Sequence, residues 1–490
     1  MSAPAQDIAG PAPVGEATAP TGLRRTMESR HLVMIALGGV IGSGLFVSSG
    51  YTIAQAGPLG AVISYGLGAL VAYMVMSCLG ELTVVHPVSG GFHDHATRYL
   101  GPAWGFAVAW LYWMCWAVAL GSEFTAAGLL MQRWFPAVPV WVFCLLFAAL
   151  LFGINATSSR VFAETEFWFS LVKVVAVVAM IVVGAGVITG ISPAGEAPAG
   201  LGGFATSGGL FPTGAGGVLV TILAVFYAFS GTELIGVAAG EAKDPARCIP
   251  RALRTAVLRL TIFFVGAIAV IAALVPFETA GVDESPFVTV FDRAGLPFGA
   301  DVMNFVIITA LLSAGNSGLY SCTRMLHSLG EHGQAPRALA RTTRRGIPLL
   351  ALGISMLGGL ASLLSSVVAS EKLFLALVSV AGFAVVAVWM AIVASQISFR
   401  LRLRRRGGRA GDLAYRSPFF PVLPILALVA LTASLVGVAL DPAQRAALWF
   451  GLPFTAVCVG WYCLRHGRSS LRPAPEVWAA QVPPVHHPLG

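Results

Sequence analysis

The chain has 490 residues, 57% of them hydrophobic and only 11% charged, against about 25% charged in an ordinary soluble domain. That balance excludes a water-soluble enzyme and a disordered chain. The formal net charge of +8 does not point to nucleic acid, because the basic residues sit in short loops between apolar stretches rather than on one face.

Residues 1–22 are rich in Pro, Ala and Gly and have no charged segment leading into an apolar run. They read as a disordered cytoplasmic tail, with no cleavable signal peptide. From residue 23 to 465, charge-free runs recur at the length of a membrane span, about 20 apolar residues for a core about 30 Å thick. About twelve spans are expected, near 32–50, 59–80, 103–130, 137–154, 167–189, 217–240, 256–276, 301–323, 347–368, 373–397, 419–440 and 446–464. Continuous rather than alternating apolar runs predict helices, so the fold class is an all-α polytopic membrane protein. Residues 466–490, rich in Pro and His, read as a second cytoplasmic tail. The seven cysteines lack metal-ligand spacing and read as small apolar packing residues. His93 and His95 read as solvated loop side chains. No motif asks for a cofactor or a metal.

Orientation follows from Lys and Arg. Counted alternately, one set of loops holds Arg24, Arg25, Arg30, Arg98, Arg160, Lys243, Arg247, Arg251, Arg254, Arg337, Arg341, Arg344 and Arg345, and the arginines from Arg400 to Arg416. The other set holds only Arg133, Arg293, Lys372 and Arg445. The asymmetry predicts an even number of spans, with both termini on the cytoplasmic side of the inner membrane. The longest outer loops are 190–216 and 278–300; the second carries Asp283, Glu284 and Asp292. Neither shows a nucleophile–base pattern.

Two spans look broken. The run Gly38-Gly39-Val40-Ile41-Gly42-Ser43-Gly44 holds more glycine than close packing usually asks for, at a cost of about 1 kcal/mol each relative to alanine. Counted from His31, Gly42 lies roughly 16 Å deep, the middle of a core about 30 Å thick. Unwinding there frees N–H groups that suit a carboxylate. The sixth span repeats the device with Phe229-Ser230-Gly231-Thr232-Glu233, a poor helix run followed by an intramembrane acid. Breaks at corresponding places predict a five-plus-five inverted repeat with its site at the midplane. The blander reading is a glycine-rich packing face plus a glutamate near the interface.

Three more polar residues stand inside spans. Lys173 lies about seven residues past Glu166, roughly 10 Å into the membrane; it either snorkels or presents its ammonium to the bundle as a proton carrier. Glu123 in the third span is near the outer surface if that helix is straight and near the middle if it is tilted, so a Glu123–Lys173 pair stays open. Asn316 either lines the site or bonds to a neighbouring helix.

Together these residues resemble the amino-acid permease family of the amino acid–polyamine–organocation superfamily. The likeness runs from about Leu23 to Arg465. It is carried by Arg25-Thr26-Met27-Glu28-Ser29-Arg30-His31 with the glycine run, by Glu164 to Lys173, and by Phe229 to Leu234 with Glu241, Asp244-Pro245 and Ile249-Pro250. The resemblance implies repeats at about 31–190 and 216–398, two added spans at about 419–464, and proton symport. By the same resemblance Gly42, Ser43 and Gly44 would hold the substrate carboxylate. Backbone near Ile41, Phe229 and Ser230 would hold its amino group. Lys173 would replace a coupling cation, Glu233 and Glu123 would shape the side-chain end, and Gly231 and Thr232 count among the substrate-binding residues. Within the family, Ala228 to Gly236, Ser313 to Tyr320 and Asp441 to Arg445 are most similar to S-methylmethionine permeases, whose cationic substrate suits a buried carboxylate and aromatic rings.

The expected partners are therefore an amino acid, a proton and the lipid bilayer. A permease for neutral aromatic or aliphatic amino acids is the alternative. A channel lacks support because no filter-like repeat is present. An enzyme lacks it because no His, Asp or metal ligands converge within the spans.

Overall fold

The computed structural model describes residues 38–87, 91–157, 159–191, 200–204, 211–237, 244–343, 346–442 and 444–473, with the side chains of 157–167, 237 and 245–246 outside that description. Readings that rest on Arg24, Arg25, Arg30, His31, Arg160, Glu164, Glu166, Glu241, Lys243, Arg344 and Arg345, or on the tails 1–22 and 474–490, lie outside the described residues.

All regular structure among the described residues is helical. In chain order the helices are α1 (Ser43–Phe46), α2 (Ser48–Val85), α3 (Phe92–Tyr99), α4 (Pro102–Met131), α5 (Val140–Thr157), α6 (Ser159–Thr189), α7 (Gly216–Ala228) and α8 (Leu234–Val237). They continue with α9 (Pro245–Leu274), α10 (Pro286–Arg293), α11 (Gly299–Glu331), α12 (Leu349–Leu360), α13 (Ser370–Arg405), α14 (Val422–Leu440) and α15 (Ala446–His466). Nine of the described helices, counting α12 with the turn after it, are long and apolar enough to cross a membrane. The shorter apolar α5 and α7 and the broken first span complete the expected set.

Local chemistry sets several helix starts. Pro102, Pro245 and Pro286 each open a helix, where a missing N–H costs nothing. The Asp244 and Ser285 side chains accept the N–H groups of Arg247 and Phe287 as caps. One boundary differs from expectation. The first span does not stop at residue 50 but runs on to 56, then reverses at Gly57 (φ 72°, ψ 173°) and Pro58 into the second span, so both lie in α2. Proline disfavours helix in the residue before it, and only glycine takes this positive φ without strain.

Spans five apart in the chain pack against each other. The first contacts the sixth (α1 on α7), the second the seventh (α2 on α9), the third the eighth (α4 on α11) and the fourth the ninth (α5 on α12). The tenth, α13, crosses α2, α4 and α7, and α14 and α15 lie against it.

Each end of the bundle carries an ionic tie. At the arginine-rich end, Arg400 on α13 makes a two-pronged pair with Glu81 on α2, both contacts at 2.6 Å. Gln396 Nε2 and the Ser417 N–H also donate to Glu81, so this buried carboxylate is well satisfied. The α3 helix corrects the reading of His95 as a solvated loop residue. It is 1% exposed, and burial, reinforced by His86 and Arg98, pushes its pKa down to about 3. No cluster of three or more metal-binding side chains occurs among the described residues.

At the other end, Arg133 binds Glu284 at 2.9 Å, Asp292 at 3.0 Å and Asp301 at 2.9 Å. Hydrogen bonds from Arg133 and from Trp134 hold the Asp301 carboxyl below its usual range. The loop 278–300 contains α10. Its Phe287 ring meets Phe46 edge-on at 4.9 Å, so this loop sits on the C-terminal half of the first span.

Candidate substrate site

The two breaks form where the sequence places them and pack against each other. Helical backbone at residues 38–40 stops at Ile41 and Gly42, and Gly42 is extended (φ −147°, ψ −151°) before α1 begins at Ser43. In the sixth span, residues 229–233 separate α7 from α8. Gly231 has φ 97°, and a Cβ there would lie 3.1 Å from the Gly39 carbonyl carbon. A Cβ on Gly44 would lie 2.5 Å from Ala228 Cα. Glycine is therefore needed for approach as well as for unwinding.

The first break is held by groups from distant spans. The Ser43 N–H donates to both Glu123 carboxylate oxygens at 3.1 Å, and Ser43 Oγ donates to Glu123 Oε1 at 2.8 Å. The Tyr227 hydroxyl donates to the same oxygen at 3.4 Å and exchanges a bond with Ser122 Oγ at 2.9 Å. Lys173 Nζ donates to the Gly38 carbonyl at 2.6 Å. Farther out, Tyr65 donates to the Gly44 carbonyl at 3.0 Å and Ser285 to the Phe46 carbonyl at 2.6 Å. A carboxylate thus meets the N–H end of the break and an ammonium its carbonyl end, as the helix dipole favours.

The second break is held by its own residues. The Gly231 N–H donates to both Glu233 carboxylate oxygens, at 3.0 and 3.1 Å. Thr232 Oγ1 donates to the Phe229 carbonyl at 3.1 Å. One contact comes from afar, Trp389 Nε1 to Glu233 at 3.3 Å. The Phe229 ring packs on Phe264 with centroids 4.9 Å apart.

These contacts revise two expectations. Glu123 does not stand near the membrane surface, where a straight third span would put it. It is 5% exposed and occupies the N–H group expected to receive a substrate carboxylate. The helix α4 carries it inward, so the straight-helix depth count fails. The open Glu123–Lys173 pairing is also resolved into a division of labour, since each serves a different end of the first break. Asn316 accepts a 2.6 Å bond from Asn155 Nδ2 on α5, the helix-to-helix alternative. Its neighbours Ala314 and Gly315 approach the site, and a Cβ on Gly42 would lie 3.0 Å from Ala314 Cβ.

Sequence reasoning missed Tyr227, Ser122, Tyr65, Trp389 and Asn155. Tyr227 and Ser122 carried a usable signal, a hydroxyl adjoining a break or an intramembrane acid. Trp389 carried none, since a tryptophan in an apolar span usually packs or faces lipid.

Residues 31–469 match the protein family described as "Amino acid permease". The chain is 49% identical to the amino-acid permease RocE of Bacillus subtilis (strain 168) over 89% of its length and 94% of that protein's. It is 41% identical to the lysine-specific permease LysP of Escherichia coli (strain K12), covering 92% and 95% of the two chains. It is 37% identical to the histidine permease HisP of Lactococcus lactis subsp. cremoris (strain MG1363), covering 86% and 89%. These names give no support to the likeness with S-methylmethionine permeases. With apolar spanning helices, a twice-broken core and this match over most of its length, the chain is a multi-pass membrane protein that belongs to the amino acid permease family.

Proposed function

We propose that the protein imports an amino acid with a cationic or imidazole side chain across the cytoplasmic membrane by proton symport, with both termini in the cytoplasm. The observation that carries this reading is the Glu123 carboxylate on the Ser43 N–H and hydroxyl. An α-carboxylate has the same charge and geometry, and can take those donors if Glu123 leaves them. A proton on Glu123 removes the charge that holds it there, so substrate entry and proton uptake favour one another. Lys173, with its ammonium on the Gly38 carbonyl, supplies fixed positive charge where a coupling cation would otherwise serve. The carbonyls of Ile41 and Phe229 and the Ser230 hydroxyl are the groups for the α-amino end. Gly231, Thr232 and Glu233 border the side-chain end.

The substrate class rests on the names of the relatives and on the Glu233 carboxylate beside aromatic rings, which suits a cation. S-methylmethionine, itself a cation, stays inside that class. A neutral aromatic or aliphatic substrate is the second reading. One contact set favours it: Glu233 is already engaged by the Gly231 N–H and Trp389, as a purely structural cap would be.

Uptake into proteoliposomes with an imposed pH gradient tests the coupling. Histidine or lysine uptake is expected to follow the proton gradient. Sodium dependence with no response to pH would sink the proposal. Competition by lysine, arginine, histidine, S-methylmethionine, leucine and phenylalanine separates the substrate classes. Displacement by leucine and phenylalanine alone would establish the neutral reading.

A further inference from the structure

We propose that a groove at the arginine-rich end of the bundle, away from the broken spans, holds one anionic glycerophospholipid. The groove measures about 660 Å³ and opens between α15, the first turns of α4 and the segment that follows α11. That volume lies within the roughly 300–1,000 Å³ of sites that take small molecules. Cys458, Trp461 and Arg465 line it from α15, Phe106 and Trp110 from α4, and Arg337 from the segment after α11.

The lining divides by chemistry along one direction. Cys458, Trp461 and Arg465 recur at intervals of three and four residues, so they form one stripe on α15. Arg465 is in the last turn of that helix, and Cys458 lies about 10 Å deeper along it. Phe106 and Trp110 face the deeper part, their rings 6.1 Å apart. The groove thus has an apolar floor and two guanidinium groups at its mouth. Arg337 and Arg465 are exposed, and neither forms an ion pair among the described residues. A guanidinium fork matches a phosphate in charge and geometry.

Two features select a lipid over a free phosphate. The floor would stay uncovered beneath an inorganic ion, whereas acyl chains would cover it. The groove is also continuous with the outward face of α15, where Val457 is 67%, Trp461 61% and Leu464 88% exposed. That face meets the bilayer, so a lipid can enter sideways from its own leaflet. Basic pockets between spanning helices beside the membrane surface recognise headgroups in this way. The inference rests on the membrane reading of the chain but not on its substrate or coupling, so its test uses no uptake assay.

The experiment is native mass spectrometry of the full chain in a nonionic detergent, titrated with phosphatidylglycerol, phosphatidylcholine or inorganic phosphate. Phosphatidylglycerol is expected to be retained above phosphatidylcholine. The double variant Arg337→Ala/Arg465→Ala is expected to weaken that retention roughly tenfold to thirtyfold, while Arg409→Ala on the same side leaves it unchanged. Equal retention of the two lipids, or no loss in the double variant, would overturn the proposal. So would displacement by millimolar phosphate, which would mark a phosphate-ion site only. Should the double variant not fold, the native arginines can be kept. Brominated phosphatidylglycerol is then expected to quench the wild-type chain more than Trp461→Phe, and equal quenching counts against the groove.

Discussion

The two breaks use the same residue types and are held in opposite ways. In the sixth span the acid that receives the free N–H is two residues away, Glu233 on Gly231. In the first span it is 80 residues away, Glu123 on Ser43. A local cap is part of the chain's own turn and persists whatever the other spans do. A remote cap depends on how α4 and α6 stand relative to the first span, and it can be exchanged for another carboxylate. In the proposed transport cycle the first break is the one that changes partners, and the second stays as a fixed wall.

The largest expected effect separates the two acids. Glu123→Gln imitates the protonated acid, so uptake is expected to lose its response to an imposed pH gradient, and substrate affinity to rise roughly tenfold or more, because a charge-assisted bond worth about 1.5–3 kcal/mol no longer competes for the Ser43 donors. Glu233→Gln is expected to keep that response and to weaken cationic competitors more than neutral ones, by about fivefold or less. Equal behaviour of the two variants in proteoliposomes would break the contrast.

A smaller effect should separate the glycines. Gly231→Ala places a side chain at φ 97°, 3.1 Å from backbone of the first span, at a cost of about 1–2 kcal/mol. Its loss is expected in the thermal unfolding midpoint, with or without substrate. Gly42→Ala meets the end of the Glu123 side chain at 2.8 Å, and its backbone is not left-handed. Its loss is expected in uptake, with the unfolding midpoint nearly unchanged. The smallest effect belongs to Tyr227→Phe. Removing that hydroxyl loosens the hold on the Glu123 carboxylate by about 1 kcal/mol, and substrate affinity by competition is expected to rise about fivefold.

Much of this was legible because helix breakers stand out in apolar runs. Gly38 to Gly44 and Ser230-Gly231-Thr232 mark both breaks, and Lys173 marks itself as an intramembrane charge. The role of Glu123 was not legible. Its depth depends on the lie of α4 in the membrane, and its partner is 80 positions away, so neither periodicity nor spacing contains either fact. The helix α10 was legible but overlooked, since Ser285 followed by Pro286 is a helix start. Trp389 could be found only from the packed bundle.

The reversal at Gly57 has a mechanical consequence. The outer arm of the first span meets the second span through two residues, and a Cβ on Gly57 would lie 2.6 Å from Pro212 Cδ. Such a joint has no slack. Any tilt of the outer arm is handed on as leverage to the second span, whose far end is bolted to the tenth through Glu81 and Arg400. A movement that begins at the exchange of one carboxylate for another thus has a stiff rod along which to reach the opposite face of the membrane.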